Sequence, residues 1–491
     1  MWYVSTRGMA PRVDFEGALF SGYAPDGGLY MPEDLPQLDR ETLRRWSLLS
    51  YPGLVKELCS LFIGPELIPR DDLDGLIDRA FSRFRHQDVV RLSRLARGLN
   101  VLELWHGVTR AFKDLSLSCT AQFLQYFLEK RQKHITVVVG TSGDTGSAAI
   151  ESVREAENVD IIVLLPKGRC SWTQELQMTT VLKDNVYVFG VDGDSDELDA
   201  PIKAVLADAA FVEKHGLLSL NSLSWSRVLV QMAHHFYAYF RCVPSLGVCP
   251  LPTVEVVVPT GAGGNLAAGC AAVKMGLPVR LAAVVNHNDI VHRAIQQGDF
   301  SLSEAVRPSL ASAMDIQVPY NMERILWLFS GSSGQVTRAL MEQFERTQSL
   351  QLPEELRSKI SEAVTSESVS DEAITRAMGR CWRENQYLLC PHSAVAVSYH
   401  YQQTDGQRPS PPRCCLAPAS AAKFPEAVLA AGLTPETPAD ILALEHKETR
   451  CSPMRRGDDW TLMLRDTIER LSRRWRASAS RQGSLAAGGF L

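Results

Sequence analysis

The feature that most restricts the fold of this chain is a regular alternation between short β-branched runs and longer amphipathic stretches. From Ile135 onward, five such runs are each followed by a stretch with helical periodicity: ITVVVGT, DIIVLLP, NVYVFGV, VEVVVP and VRLAAVV. This alternation is typical of a parallel sheet covered by helices on both faces. The sequence therefore predicts an α/β fold in which ligands bind outside the carboxyl ends of the strands.

Charge and composition argue against several classes of partner. The formal net charge of -5 gives no general attraction to nucleic acid or to anionic lipid. No apolar run approaches the roughly 20 residues that a membrane helix requires, and the N-terminus contains no apolar stretch of signal-peptide length. The eleven cysteines show neither C-x-x-C pairs nor zinc spacing. We therefore predict a cytoplasmic protein with reduced thiols, no metal site and a small-molecule ligand, rather than a nucleic-acid-binding or membrane protein.

A lysine lies where a strand leads into a helix. The strand-like run VLELW is followed by residues 106–112 and then by Lys113, which opens a helix-like stretch. Its apolar neighbours Phe112 and Leu115 would partly desolvate the amine and favour the neutral form that a Schiff base needs. A lysine in such a place is an ordinary surface residue in most proteins, so this interpretation depends on two further loops.

Two glycine-rich turns follow strands in the same way. The turn TGAGGN at residues 260–265 presents consecutive small residues whose N–H groups can converge on an anion at the start of a helix. It has neither the G-x-G-x-x-G order of a dinucleotide site nor the Lys-Ser/Thr ending of a nucleotide P-loop, so a phosphate without a nucleotide fits better. The turn GTSGDTG at residues 140–146 is suited to hold a carboxylate, and is equally compatible with a tight turn that only caps a helix.

An ordered set of motifs resembles those of threonine synthases, which use pyridoxal 5'-phosphate (PLP) and have the type II fold of the tryptophan-synthase β-subunit. In chain order the motifs are YAPDGGLYMP at 23–32, HGVTRAFKD at 106–114, TSGDTG at 141–146, PKGR at 166–169, QELQM at 174–178 and AMDIQV at 313–318. The resemblance implies an N-terminal threonine-synthase-type domain over residues 1–98. It also implies a PLP-dependent catalytic core of two doubly wound parallel α/β subdomains over residues 99–445, and it is compatible with a homodimer.

The resemblance also implies roles for individual residues. Lys113 would be the catalytic residue and would carry PLP as a Schiff base. The remaining cofactor-binding residues would be Gly261, Ala262, Gly263, Gly264, Asn265, Asp144 and Ser420. The turn that faces the substrate would contribute Thr141, Ser142, Gly143 and Thr145.

A phosphorylated substrate additionally needs cations. Arg169 and Arg324 are the predicted substrate-binding arginines, with Lys167 and Arg110 as further candidates, and for each of them a solvated surface position is the alternative. His106 and His392 are candidate proton relays, although a histidine beside glycine or proline often only satisfies a loop carbonyl.

Two departures from the family pattern bear on the reaction. In the run APASAAKF at residues 417–424, Pro418 stands where the family has a threonine that meets the pyridine nitrogen, and the nearest hydroxyl is that of Ser420. The family's Asp-Pro-His appears here as Cys390-Pro391-His392. We therefore predict a phospho-lyase that acts on O-phosphohomoserine, O-phosphothreonine or both and releases 2-oxobutyrate, ammonia and phosphate. The alternatives are a true threonine synthase, or a non-catalytic signalling protein that keeps the fold.

Three segments outside the motifs carry structural predictions. Residues 401–413 are polar and proline-rich and are expected to form an exposed loop. Within a C-terminal part that begins at residue 446, the apolar residues at 460, 464, 468, 471 and 475 predict one docked helix. The last stretch, ASASRQGSLAAGGFL, has no periodic apolar face and is expected to be disordered.

Overall fold

The computed structural model of the chain describes residues 1–194, 197–407 and 410–487. Within these residues, no helix combines the length and the apolar composition needed to cross a membrane. The strands in chain order are β1 (Tyr3–Ser5), β2 (Tyr30–Pro32), β3 (Arg91–Arg94), β4 (Asn100–Glu103), β5 (Ile135–Gly140), β6 (Val159–Pro166), β7 (Val186–Val191), β8 (Leu217–Ser219), β9 (Val254–Pro259), β10 (Val279–Val285), β11 (Val364–Ser368), β12 (Arg413–Ala417) and β13 (Ser452–Met454).

Helices follow most of the strands. In chain order they are α1 (Phe15–Leu19), α2 (Arg40–Trp46), α3 (Tyr51–Phe62), α4 (Arg70–Phe81), α5 (Lys113–Arg131), α6 (Asp144–Val153), α7 (Trp172–Thr179), α8 (Asp199–Leu206), α9 (Ala209–His215), α10 (Trp225–Cys242), α11 (Gly264–Lys274), α12 (Ile290–Gln297), α13 (Met322–Phe329), α14 (Gly334–Thr347), α15 (Glu354–Ala363), α16 (Asp371–Asn385), α17 (Pro391–Asp405), α18 (Pro425–Ala430), α19 (Ala439–Leu442) and α20 (Trp460–Ala487). Short 3-10 helices span Ala96–Gly98, Ser312–Met314, Ala421–Lys423 and Ala443–His446.

The first of two compact units comprises Met1–Gln122 and Ser222–Ala443. It contains a six-stranded sheet of order β11-β10-β9-β12-β4-β3, in which all neighbours are parallel except β3 and β4. All five residues of β12 are buried, as are the first five of β9. Strands that are buried on both faces are mostly apolar, which is why β9 and β12 show no regular alternation of apolar and polar residues.

The second unit comprises Phe123–Asn221 and Leu444–Leu491. Its five-stranded sheet has the order β13-β7-β6-β5-β8, and all neighbouring strands are parallel. One face is covered partly by α20, since Leu464, Ile468 and Leu471 pack into a core with Ile202 and Phe211. The predicted α/β fold and the docked C-terminal helix are confirmed.

Two local predictions were wrong in part. The loop expected from residue 401 begins later, because α17 continues to Asp405 and buries Tyr401, over whose ring the Arg380 guanidinium lies at 4.1 Å. Residues 408–409 of this segment lie outside the described residues. The stretch expected to be disordered contains the end of α20, which continues to Ala487, whereas residues 488–491 lie outside the described part.

Candidate active site

Three predicted site segments leave neighbouring strands of the six-stranded sheet at the same edge. Strands β9, β12 and β4 are parallel neighbours with β12 in the middle. Residues 260–263 follow β9, residues 418–420 follow β12, and residues 104–112 follow β4. Because parallel strands end at a common edge, the lysine loop, the glycine-rich turn and Ser420 converge at the carboxyl end of this sheet.

Backbone hydrogen bonds attach the lysine loop to the segment after β12. The N–H of Phe112 donates to the carbonyl of Pro418 at 2.7 Å, and the N–H of Ser420 donates to the carbonyl of Arg110 at 3.1 Å. An antiparallel bridge joins Ala111 to Ala419 between them. Lys113, the first residue of α5, is half-buried, and its Nζ lies 5.8 Å from the centre of the Phe112 ring.

Charged side chains hold the rest of the lysine loop. Asp114 accepts hydrogen bonds from the N–H of Thr109 at 2.9 Å and from its hydroxyl at 2.7 Å. Asp440 on α19 accepts from Arg110 at 2.7 Å and from Arg85 at 2.8 Å. The guanidinium of Arg110, a candidate for the substrate phosphate, is therefore engaged in holding its own loop.

We refer to residues 260–265 as the anion turn. Gly263 has a φ of +81° at the residue just before α11, a conformation that favours glycine. Among the described residues, the backbone N–H groups of residues 261–265 meet no acceptor. Several free N–H groups at the positive end of an 11-residue helix form a suitable site for a phosphate.

The back of the anion turn is held by α13. The N–H of Asn321 donates to the carbonyl of Ala262 at 3.1 Å. Arg324 is fully buried, and its guanidinium donates to Oδ1 of Asn321 at 2.7 Å, to the carbonyl of Leu223 at 2.6 Å and to that of Tyr30 at 3.1 Å. Burial lowers the pKa of Arg324 to about 9. The structure thus places Arg324 behind the anion turn, with its Nη atoms bound to protein oxygens.

Ser420 lies at the correct edge of the sheet, but its hydroxyl already has a local role. Its Oγ accepts from the N–H of Ala422 at 3.3 Å and caps the 3-10 helix that follows. The side chain is half-buried.

In the second unit, the turn at residues 140–146 follows β5 and opens α6. The hydroxyl of Thr141 accepts from the N–H groups of Gly143 and Gly146, both at 2.9 Å, and so closes the turn. Gly143 has a φ of +136°, and a Cβ there would lie 2.4 Å from the Gln174 side chain. Asp144 is buried and accepts from Nε2 of Gln174 at 2.9 Å.

Two predicted hydroxyl side chains and two basic side chains also lie at the carboxyl end of the strands in the second sheet. Ser142 and Thr145 are half-buried. Lys167 and Arg169 are exposed in the turn after β6, the parallel neighbour of β5. Thr141 therefore shapes the turn, while Ser142, Thr145 and Arg169 keep polar groups at the carboxyl end of the strands.

The two candidate relay histidines have protein partners. Nε2 of His106 lies 2.8 Å from the Glu103 carboxylate. Burial raises the pKa of Glu103, but hydrogen bonds from His106, Tyr387 and Ser93 outweigh it and leave the pKa below its usual value. Nε2 of His392 accepts from the N–H of Ala313 at 3.0 Å and so supports the segment beside the anion turn.

Sequence reasoning missed two residues that contact the anion turn from α10. His234 and His235 are fully buried and both lie within hydrogen-bond distance of Asn265. They stand in α10, most of whose residues are buried, about thirty residues before the turn, and no local pattern connects the two segments.

The chain matches three family models in succession: "Threonine synthase N terminus" over residues 2–81, "Pyridoxal-phosphate dependent enzyme" over residues 84–344, and "Threonine synthase, C-terminal" over residues 393–463. It is 80% identical over 479 residues to threonine synthase-like 2 of Homo sapiens, covering 98% of this chain and 99% of that protein.

Two solved threonine synthase structures are similar to this chain in sequence and in fold. The threonine synthase from yeast is 34% identical with a TM-score of 0.87, covering 95% of this chain and 98% of the yeast chain. A PLP-bound threonine synthase from Brucella melitensis is 33% identical with a TM-score of 0.87, covering 96% of this chain and all of that one. The chain therefore belongs to the threonine synthase family of enzymes, which have the type II fold and depend on pyridoxal 5'-phosphate.

Proposed function

We propose that this PLP-dependent enzyme is a phospho-lyase that converts O-phosphohomoserine, O-phosphothreonine or both to 2-oxobutyrate, ammonia and phosphate. One water is consumed for each substrate, and the C–O bond to the phosphate breaks with its electron pair leaving on the phosphate. When bound, PLP supplies an electron sink for the substrate Cα. The residues of this chain hold the cofactor and the substrate and remove the proton from the substrate Cα.

The first unit has groups that fit PLP. The free N–H groups of residues 261–265 suit the cofactor phosphate. Lys113 lies at the same edge of the same sheet, as the first residue of α5. In this proposal Lys113 holds the cofactor and its amine takes the Cα proton. The convergence of this amine and this turn at one sheet edge is the observation that carries the proposal.

The turn at residues 141–145 is proposed to bind the substrate. Thr141 sets its shape, Gly143 allows its sharp bend, and the half-buried hydroxyls of Ser142 and Thr145 are available for a carboxylate. Arg169 is exposed and is the proposed partner for a substrate phosphate. Arg324 is proposed to act indirectly, through Asn321 and the carbonyl of Ala262.

The choice of lyase over synthase depends on the residues after β12 and before α17. Pro418 has no hydroxyl, and the Oγ of Ser420, two residues later, accepts from the N–H of Ala422. Cys390 stands where the family pattern has an aspartate, and its Sγ accepts from the N–H of Ser393 at 3.3 Å. This position therefore has no carboxylate. Formation of threonine requires a water held precisely at Cβ, and misplacement by about 1 Å can cost about 100-fold in rate. Release of an enamine that hydrolyses to 2-oxobutyrate does not need this precision.

A product assay tests the proposal. Purified full-length protein is incubated with PLP and each substrate, and phosphate, 2-oxobutyrate, ammonia and threonine are quantified together. We expect equal amounts of phosphate and 2-oxobutyrate with little threonine. Lys113→Ala should reduce phosphate release by at least about 100-fold, whereas Lys133→Ala, which removes an exposed lysine, should not.

The second candidate is a true threonine synthase, which the 36% identity over 455 residues to the threonine synthase of Pseudomonas aeruginosa favours. Threonine in excess of 2-oxobutyrate from O-phosphohomoserine would establish it and refute the lyase. Absence of any phosphate release from either substrate by PLP-loaded protein would instead favour the non-catalytic alternative.

The proposed setting is a reducing cytoplasm. None of the eleven cysteines, which all lie in the described part of the chain, forms a disulfide, and eight of them are buried. Thiols of this kind need no disulfide for stability and persist in a reducing compartment.

A further inference from the structure

Two adjacent histidines on α10 lie against the anion turn. Nδ1 of His234 lies 3.2 Å from Oδ1 of Asn265. Nε2 of His235 lies 2.8 Å from the backbone carbonyl oxygen of Asn265 and 3.0 Å from its Oδ1. Both fully buried rings therefore meet Asn265, whose amide is the last polar side chain of the turn.

The backbone carbonyl fixes the polarity of this cluster. A carbonyl oxygen can only accept, so Nε2 of His235 must carry a proton. The same N–H faces the Asn265 side chain, which must present its oxygen there, because Nδ2 in that place would bring two donors together. Nδ1 of His234 faces this oxygen as well and must also donate. The amide nitrogen of Asn265 consequently points away from both rings.

The burial of the rings supports the same arrangement. Desolvation lowers the pKa of His234 to about 3 and that of His235 to about 4, so both are neutral near pH 7 and each has one N–H. The other ring nitrogens, Nε2 of His234 and Nδ1 of His235, meet no partner among the described residues. The single proton of each ring is thus committed to Asn265.

Nδ2 of Asn265 is left as a donor without a protein acceptor in the part of the chain that the structure describes. Asn265 is half-buried in the first turn of α11, and the neighbouring backbone N–H groups also lack an acceptor. We propose that His234 and His235 are positioning residues that orient the Asn265 amide so that its N–H groups face the cofactor phosphate. A phosphate dianion accepts hydrogen bonds only, so the opposite orientation would place an oxygen against it.

His234 also connects this arrangement to the lysine loop. Its ring contacts Phe112 edge to face, with centres 6.2 Å apart, and stacks on Tyr51 at 6.3 Å. Phe112 immediately precedes Lys113. The His234 ring therefore packs against Phe112, the neighbour of Lys113, and also orients the Asn265 amide in the anion turn.

The inference rests on the proposed cofactor site and is tested by binding rather than by turnover. The full-length protein, stripped of cofactor, is titrated with PLP and with pyridoxal, which lacks the phosphate, by equilibrium dialysis. His235→Leu removes the donor at Nε2, whereas His235→Gln retains an amide N–H near that place. We expect His235→Leu to raise the dissociation constant for PLP by at least about tenfold, as for loss of one hydrogen bond to a charged group. Affinity for pyridoxal should stay within about twofold, and His235→Gln should recover most of the PLP affinity.

A second pair of variants separates orientation from packing. Asn265→Asp keeps two acceptor oxygens for the histidines but offers the phosphate no donor, so it should lose PLP affinity while its melting temperature without cofactor stays near that of the wild type. Equal loss of PLP and pyridoxal in His235→Leu would assign the ring a packing role and overturn the inference. So would unchanged PLP affinity in His235→Leu alongside a loss in Asn265→Ala. If Asn265→Ala itself leaves PLP affinity unchanged, the assignment of Asn265 to the cofactor site has failed as well.

A second site serves as the probe where His235→Leu prevents folding. In that case His234→Leu is compared with His234→Asn, which keeps an N–H near Nδ1, and the same difference between PLP and pyridoxal decides the question.

Discussion

Pro418 lies directly after β12, where the family pattern has a threonine, and its carbonyl accepts the N–H of Phe112. Pro418→Thr restores a hydroxyl without removing that carbonyl. We expect the ratio of threonine to 2-oxobutyrate formed from O-phosphohomoserine to rise, on the order of tenfold if one polar contact to the cofactor ring limits the partition. Pro418→Val is the matched control, because it has the shape of threonine without the hydroxyl. Equal product ratios in the two variants would show that Pro418 does not set the outcome.

Arg324 provides a test of a buried cation. Its guanidinium serves three oxygens, those of Tyr30, Leu223 and Asn321. Arg324→Met would leave them without their donor, so we expect the free energy of unfolding to fall by about 3 kcal/mol. Chemical denaturation measures this change, and Arg346→Met on the exposed face of α14 is the control. An unchanged stability with a raised KM would instead support direct contact with the substrate.

Single residues differ in how far the sequence could identify them. Lys113 and the anion turn are predicted site residues because their chemistry lies in short contiguous motifs after strands. The position of Arg324 could not be predicted, since its partners at Tyr30 and Leu223 are 294 and 101 residues away in the chain. His234 and His235 gave no signal for the same reason.

At the scale of elements, length decides what the sequence reveals. The five β-branched runs that alternate with amphipathic stretches in the sequence all form strands, β5, β6, β7, β9 and β10. Strands β8 and β13 have three residues each, too few for a periodic pattern. β11 is formed by the polar run VTSES, which has no continuous apolar signal and is defined by its pairing with β10.

The segment around the 3-10 helix Ser312–Met314 supports the anion turn and contains a titratable group. Gly261 packs against the backbone of Ala313 and Met314. Next to them, Asp315 accepts from the N–H of Ser309 at 2.9 Å and from Nδ2 of Asn286 at 2.8 Å. Burial raises the pKa of Asp315 to about 6, against the opposing effect of these hydrogen bonds.

A pH dependence follows from this shift. Between about pH 4 and pH 6 the folded state retains a proton on Asp315 that the unfolded chain has released. The contribution of Asp315 to the free energy of unfolding therefore falls as the pH rises through this window, and it is constant above about pH 6. Asp315→Asn removes the contribution. The unfolding free energy of the variant relative to the wild type should therefore rise from pH 4 to pH 6, as measured by denaturation at each pH. Asp34→Asn, at an exposed position, should show no such trend.

For the whole molecule, the alternation of strands and helices predicted the fold class but not how the chain is divided. Each compact unit is built from two separate stretches, because the chain leaves the first unit after Gln122, returns at Ser222 and leaves again after Ala443. Residues 444–491 complete the unit that begins at Phe123. Periodicity reports which face of an element is buried, but it does not report which distant element covers that face.

The C-terminal helix tests this division. Leu464 is fully buried in the core of the second unit, whereas Leu462, two residues earlier on α20, is 53% exposed. Leu464→Ala should lower the free energy of unfolding by about 2 to 5 kcal/mol through lost burial and a cavity, and Leu462→Ala should change it by less than about 0.5 kcal/mol. Hydrogen exchange should quicken in β5, β6 and β7, whose sheet α20 covers, and much less in β9, β10 and β12. Equal acceleration in both sheets would show that the molecule opens as one cooperative body, and that the division into two units does not extend to stability.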